Sequence, residues 1–476
     1  MAERVVVVGG GLAGVAAATR LVEEGVAVTL VERQDALGGR LGGWMDRLRD
    51  GTLFSMDRGF FGVSREAKNT RSLLGRVDPG LGGLSAVDGY AMIGPGGAVR
   101  SLERLPRRAP FNVLELLRRA PSMRLRDLAR ADLRKATRLF AFDPEETHRQ
   151  LAGTSAKDLL KSIGLPEGAT SALFGVLASA SFNPIDRYCA AELVGNIDFL
   201  LGGHSDGLVM EAPSGPPGTA LWPALERHLE AHGADVRRRA DVLEVERNGT
   251  GWHVRVRARG VASVVKADAV VLAAHIPGLK RIAGASPSLG PVAASVASLE
   301  VSLPQVVWRL WLDRPVGGDR PAYGAAAGMG MLDAVVLLDR IGTRSEDWAA
   351  RSRGSVVELH AHAVPESMSE STIRRDLLAR LHAVYPETRL ATVIDERFLL
   401  KQESPAFSPG SHARRSTVTT AIDGIYLAGD HVKLPFHAAP MERATASGFL
   451  AANTILAGWG KRTQPVEKRA KRRGIF

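Results

Sequence analysis

The chain has 476 residues, 45% of them hydrophobic, which is enough to bury two cores, and it carries a formal charge of +11. Its one cysteine, Cys189, excludes an internal disulfide and a cysteine-cluster metal site, and it has no run of about 18 consecutive apolar residues of the kind a spanning helix needs. The basicity is local: residues 100–138 hold twelve Lys or Arg against four Asp or Glu, and residues 461–473 hold seven against one, so these two segments are where an anionic partner is expected.

The chain opens on a β-branched run, Val5 to Val8, that stops at Gly9, Gly10 and Gly11 and gives way to small residues at helical spacing from Leu12 to Leu21. The glycine flanks do not form a signal-cleavage pattern, which predicts a cytoplasmic protein. Residues 26–31 read as a second buried strand ending at Glu32, so residues 4–32 form one βαβ unit. From about 100 to 210 the pattern becomes helical and is punctuated by prolines. Strand patterns return at 235–239, 241–246, 251–257 and 269–274. A second excursion, roughly 290–410, mixes strands at 306–312 and 355–360 with a helix at 369–384. The chain ends with a strand at 424–430, a helix, and a basic tail from Lys461 that is expected to be disordered.

Gly9-x-Gly11-x-x-Gly14 sits between a strand and a helix, the context in which this spacing binds a dinucleotide. The first glycine permits the turn, the second admits a pyrophosphate to the backbone amides, and the third packs helix on strand. Glu32 ends the next strand, where a carboxylate accepts ribose hydroxyls. The cofactor is expected to be FAD, not NAD. Gly38-Gly39-Arg40 follows Glu32 closely, and a second strand-Gly-Asp-helix signal, Gly429-Asp430, stands near the far end of the chain. FAD is long enough to need such a distant partner for its ribityl and isoalloxazine end.

Together these motifs resemble the amine oxidase and phytoene desaturase superfamily of flavoproteins. Further stretches resemble one branch, the bacterial carotenoid desaturases of the isorenieratene synthase type. They are Asp57-Arg-Gly-Phe60 with Asn69 and Arg71, Phe182-Asn-Pro184, Ala190-Ala-Glu-Leu-Val194, Asp206-Gly-Leu208, Thr219-Ala-Leu-Trp-Pro223, Lys433-Leu-Pro-Phe436 and Met441-Glu-Arg443. The resemblance implies an α/β fold, a Rossmann-like FAD-binding domain of the GR2 type with an inserted α+β substrate-binding domain. The first would take residues 1–99, 215–285 and 415–460, the second 100–214 and 286–414, with 461–476 left as tail. It also implies a cofactor-binding set of Gly9, Gly11, Leu12, Ala13, Gly14, Glu32, Arg33, Gly39, Arg40, Gly59, Phe60, Val242, Gly429, Asp430 and Met441. One departure stands out: the branch has an aromatic-rich, histidine-bearing stretch after Arg-Gly-Phe, whereas here it reads Phe61-Gly-Val-Ser-Arg-Glu-Ala-Lys68.

The implied chemistry is hydride removal from an sp³ carbon to the flavin, with a proton lost from the neighbouring carbon, acting on an apolar polyene held in an apolar tunnel. The expected substrate is a carotenoid end ring made aromatic. His431, His437, Glu442 and Arg58 are the candidate catalytic groups, and each is also readable as a satisfied structural residue. No metal-ligand spacing stands out. The Leu/Arg alternation of 100–138 suits an amphipathic surface on anionic lipid at the inner face of the membrane, or an acidic acyl carrier protein. Its sparse aromatics, Phe111 near its middle and Phe140 just beyond it, do not suit nucleic acid. Two other readings stay open: oxidation of a cyclised polyene acyl chain on a carrier protein, and a redox-silent protein in which FAD is structural or supports isomerisation.

Overall fold

The computed structural model describes residues 3–87, 89–106, 111–119, 132–165, 170, 174–202, 208–215 and 217–468. Its first domain is built on five parallel strands in the order Asp235–Arg237, Ala27–Val31, Arg4–Val8, Ala269–Leu272 and Ile425–Leu427. The central strands are apolar on both faces because helices cover one face and a second, antiparallel sheet packs on the other. The first helix, Leu12–Glu23, and the last, Pro440–Gly458, cross in contact: a Cβ on Gly448 would fall 2.1 Å from the Ala13 carbonyl oxygen. A three-stranded meander, Ala240–Asn248, Gly251–Ala258 and Val261–Ala267, completes the domain. Gly9 and Gly429 lie just past the carboxyl ends of strands in this sheet, where open parallel sheets bind ligands.

The second domain carries a seven-stranded sheet in the order Val393–Lys401, Gln305–Leu312, Ser355–Ala361, Ala334–Leu337, Tyr323–Ala326, Tyr90–Ile93 and Val99–Ser101. The one parallel pair is Tyr323–Ala326 with Tyr90–Ile93. This moves the expected boundary, since strands Tyr90–Ile93 and Val99–Ser101 belong to this sheet and not to the cofactor domain's. The local pattern of Tyr90-Ala-Met-Ile93 marks a strand but says nothing of a partner hundreds of residues away. Helices Pro144–Leu151, Ala156–Ser162, Gly175–Ser179 and Ala190–Leu201 form the expected helical insertion around Leu160, Tyr188, Leu193 and Val194.

Of the basic segment, helix Phe111–Arg119 shows Phe111 and Leu114 to solvent, and Arg118 and Arg119 both pair with Glu115. Residues 120–131, with most of the expected Leu/Arg alternation, lie outside the described residues, as do Asp206 and the tail beyond 468. Residues 461–468 are not the free tail expected from composition. Buried Arg20 on the first helix donates to the carbonyls of Gln464 (3.0 Å) and Pro465 (2.7 Å), and Glu467 N donates to Asn69 Oδ1 (2.9 Å). A buried guanidinium needs acceptors, and this strap supplies them. Among the described residues no helix is long and apolar enough to cross a membrane.

Candidate active site

The Gly9–Gly14 turn can be built only from glycine at its two ends. Gly9 has φ +107°, and a Cβ there would lie 2.7 Å from the Ala273 carbonyl oxygen; a Cβ on Gly14 would lie 1.8 Å from that of Gly9. The helix that follows is capped by Gly11 with no side-chain bond and has no acidic residue in its first turn. Its first amides, those of Leu12 and Ala13 among them, are left for an anion. Glu32 is 8% exposed, and its two oxygens accept from Gly10 N and Gln34 N, both at 2.7 Å. That fixes the carboxylate beside the turn and leaves lone pairs for hydroxyl donors. Val242 lies just beyond Ala240, whose amide donates to the Glu32 carbonyl, and a bulge follows it in the ladder. Arg33 is exposed.

The Gly38-Gly39-Arg40 loop closes on this turn. Gly38 N donates to the Gly10 carbonyl at 2.8 Å, and Gly39 packs on Gly11 so closely that a Cβ would meet its Cα at 3.1 Å. Arg40 then spans the site: its Nη2 lies 2.6 Å from Oδ2 of Asp430, which is 3% exposed, and its Nη1 donates to Ser404 Oγ at 3.2 Å. Gly429, at φ +146°, donates its amide to Ser447 Oγ at 2.8 Å, tying the turn to the last helix, on whose first turn Met441 is half-buried.

The third part is the seat of Gly59 and Phe60. A Cβ on Gly59 would lie 2.9 Å from the Val307 side chain of the second sheet. Phe60 N donates to Glu358 Oε1 at 2.7 Å, and His360 Nε2 donates to the same oxygen at 2.8 Å. Arg309 bonds Oε2 from Nε at 2.9 Å and Nη2 at 2.8 Å. Glu358 is fully buried, and burial alone would favour its neutral form; Arg309 and the bond from His360 more than offset this and hold it at about 2. Phe60 stands 5.4 Å from Tyr323, which stacks on Tyr90 at 4.9 Å. Both tyrosines stand on strands of the second sheet.

The four candidate catalytic groups are not gathered into one constellation. Arg58 is held in an ion pair with Glu403 at 2.8 Å. Glu442 accepts four bonds of 2.7–2.9 Å from the amides and side chains of Asn69 and Thr70 and so caps helix Lys68–Leu74. His437 Nε2 donates to Asn196 Oδ1 at 2.8 Å, and its Nδ1 lies 3.7 Å from Glu192. Glu192, 2% exposed, also pairs with Arg415 and, at 2.8 Å, with Arg443, which hold it well below the usual carboxylate range against the penalty of burial. Burial pushes His437 down to about 3 and His431 to about 4, so both are neutral. His431 packs against Gly429, and its Nε2 is buried without a hydrogen-bond partner.

A profile described as flavin containing amine oxidoreductase matches residues 12–456. The chain belongs to that family. It is 42% identical to the carotenoid phi-ring synthase of Streptomyces griseus, over 98% of this chain and 90% of that one, and 25% identical to the carotenoid phi-ring synthase of Chlorobaculum tepidum at the same coverages. A zeta-carotene desaturase of Synechocystis is 26% identical over 95% of this chain and 97% of its own length. Among solved structures, putrescine oxidase bound to putrescine superposes with a TM-score of 0.64 at 17% identity, covering 96% of this chain and 99% of that one, and an oxidoreductase from Methanosarcina mazei gives 0.64 at 16% over 94% and 99%. These two show the shared fold.

As a flavin oxidoreductase of this family, the chain has a site that fits its cofactor on its own geometry: a cradle that Cβ atoms on Gly9 and Gly14 would break, uncapped helix amides, a fixed carboxylate, and a distant Gly-Asp turn joined to the cradle through Arg40. Sequence reading missed Arg309, Glu358 and His360. The signal was present: Glu358 and His360 stand in the middle of a strand, Ser355–Ala361, in which every residue is buried, and a charge there implies a buried partner.

Proposed function

We propose that this chain is an FAD-dependent desaturase that makes the end ring of a carotenoid aromatic. The observation that carries the reading is the 42% identity with a carotenoid phi-ring synthase along nearly the whole chain. FAD is favoured over a shorter flavin because the glycine cradle and Glu32 suit a pyrophosphate and an adenosine ribose, while Asp430 would meet the far end of an extended cofactor. When bound, the flavin supplies a two-electron acceptor for hydride.

The protein's part is to bind an apolar ring away from water and to take up protons. Phe60, Tyr323 and Tyr90 form an aromatic face beside the Gly59 turn, and π-faces favour a cationic ring. The substrate is drawn from a bilayer in this reading, and helix Phe111–Arg119, with Phe111 65% and Leu114 51% exposed, offers an apolar contact to it. Carrier-bound polyenes and redox-silent roles have no comparable support. The test is anaerobic mixing of FAD-loaded protein with β-carotene or with an acyclic carotene. Bleaching of the oxidised flavin by the cyclic substrate alone supports the reading; no bleaching by either refutes it.

A further inference from the structure

Beside the Gly59–Phe60 seat lies a cavity of about 100 Å³. Its walls are largely apolar, with Phe54, Phe60, Trp311, Leu338 and Trp348 contributing, and one acidic residue, Asp57, is among those that line it. Asp57 is at the end of strand Leu53–Asp57, two residues before Gly59, and its side chain is 18% exposed. Its Oδ1 is buried with no hydrogen-bond partner. The nearest cation reaches it only at long range: Arg309 is committed to Glu358 and to the Ser55 carbonyl (2.8 Å), and its Nη2 stands 4.0 Å from Asp57 Oδ2. A largely buried carboxyl group with one oxygen unpartnered and only a long contact to a cation on the other is costly as structure.

We propose that Asp57 is the proton acceptor for the substrate ring, a catalytic carboxylate serving the reaction described under the proposed function. The inference rests on that reading. Each two-electron step removes one hydride and one proton from the ring. The hydride leaves with its electron pair to the oxidised flavin class of acceptor that the family's activity supplies. The step assigned to Asp57 is the other half: the C–H bond next to the electron-poor ring carbon breaks, its electron pair becomes the new C=C bond, and the proton passes to a carboxylate oxygen.

The ionisation of Asp57 suits the role. Burial raises it to about 6, Arg309 lowers it and Glu358 raises it further. The charged groups around it are Arg309 and Glu358 on the sheet, Glu358 bonded in turn to His360, and Arg344 at the cavity wall from helix Thr343–Ser352. A base acts when ionised, so turnover should rise with pH through about 6.

The experiment compares wild type, Asp57→Asn and Asp57→Glu, each loaded with FAD, using β-carotene in detergent. Binding is followed by quenching of Trp311 and Trp348, which line the cavity. The proposal expects Asp57→Asn to bind β-carotene within about threefold of wild type, to lose roughly 100-fold or more in kcat with KM little changed, and to lose the rise of rate with pH. Asp57→Glu should retain part of the rate with a displaced pH limb. Turnover of Asp57→Asn within about threefold of wild type, or an unchanged limb in its residual rate, overturns the proposal. If Asp57→Asn does not fold, an undisplaced limb in Asp57→Glu overturns it. Wild type that binds flavin but turns over no cyclic carotene refutes the functional reading, and the role of Asp57 with it.

Discussion

Arg40 and Asp430, from opposite ends of the chain, meet at 2.6 Å and join the two loops that the cofactor must span. Asp430 is 3% exposed, so removing Arg40 leaves a buried carboxylate without its cation. Arg40→Ala is expected to weaken flavin binding by roughly 10- to 100-fold, since truncating one partner of a buried charge pair costs on the order of 2 kcal/mol or more. Flavin retained per protein after gel filtration measures it; wild-type retention would contradict the structural role.

Gly14→Ala is expected to abolish the folded, flavin-loaded state, because its Cβ would lie 1.8 Å from a backbone carbonyl that cannot move away. Gly284→Ala is the matched control: it ends helix Ile276–Gly284 in open space and should fold normally. Soluble yield and flavin absorbance of the two variants decide it.

Glu192 balances Arg415 and Arg443 in the helical insertion. Glu192→Gln leaves two buried guanidinium groups without a counter-charge and should destabilise the protein by about 3–5 kcal/mol, read as a lower midpoint in urea. A change below about 1 kcal/mol would show the cluster to be more hydrated than its burial implies.

The buried histidines set a pH dependence of stability. His437 and His431 titrate at about 3 and about 4 when folded, below the ordinary value of 6.5. Between those values the unfolded chain binds more protons, so stability is full above about 6.5 and falls as the pH drops toward 4. His437→Gln should flatten that slope by up to about 1.4 kcal/mol per pH unit. Melting curves across this range test it, and an equal slope in both proteins would refute it.

The cofactor cradle was legible in the sequence because it is local: Gly9, Gly14, Glu32 and Gly39 act through turns and short spacings, and Gly429-Asp430 repeats the same strand-turn logic. What was hidden depends on pairing across the chain. The sheet membership of Tyr90–Ile93, the seating of Phe60 on Glu358 and the strap over Arg20 are all contacts between segments far apart in sequence. Glu442 shows the same limit from the other side. Its place on the first turn of the last helix suggested chemistry, but its bonds to Asn69 and Thr70 make it a cap. Asp57 was visible as part of a motif, and only the cavity beside it and the commitment of Arg309 to Glu358 distinguish it from a structural carboxylate.

The most direct test of the central claim is expression in cells that accumulate β-carotene, with the extracted pigments separated and weighed by mass spectrometry beside an Asp430→Ala control. The account predicts that wild type alone converts β-carotene into a pigment four hydrogens lighter for each ring processed, with an aromatic end group. An unchanged pigment from cells whose purified protein carries its full flavin would contradict it.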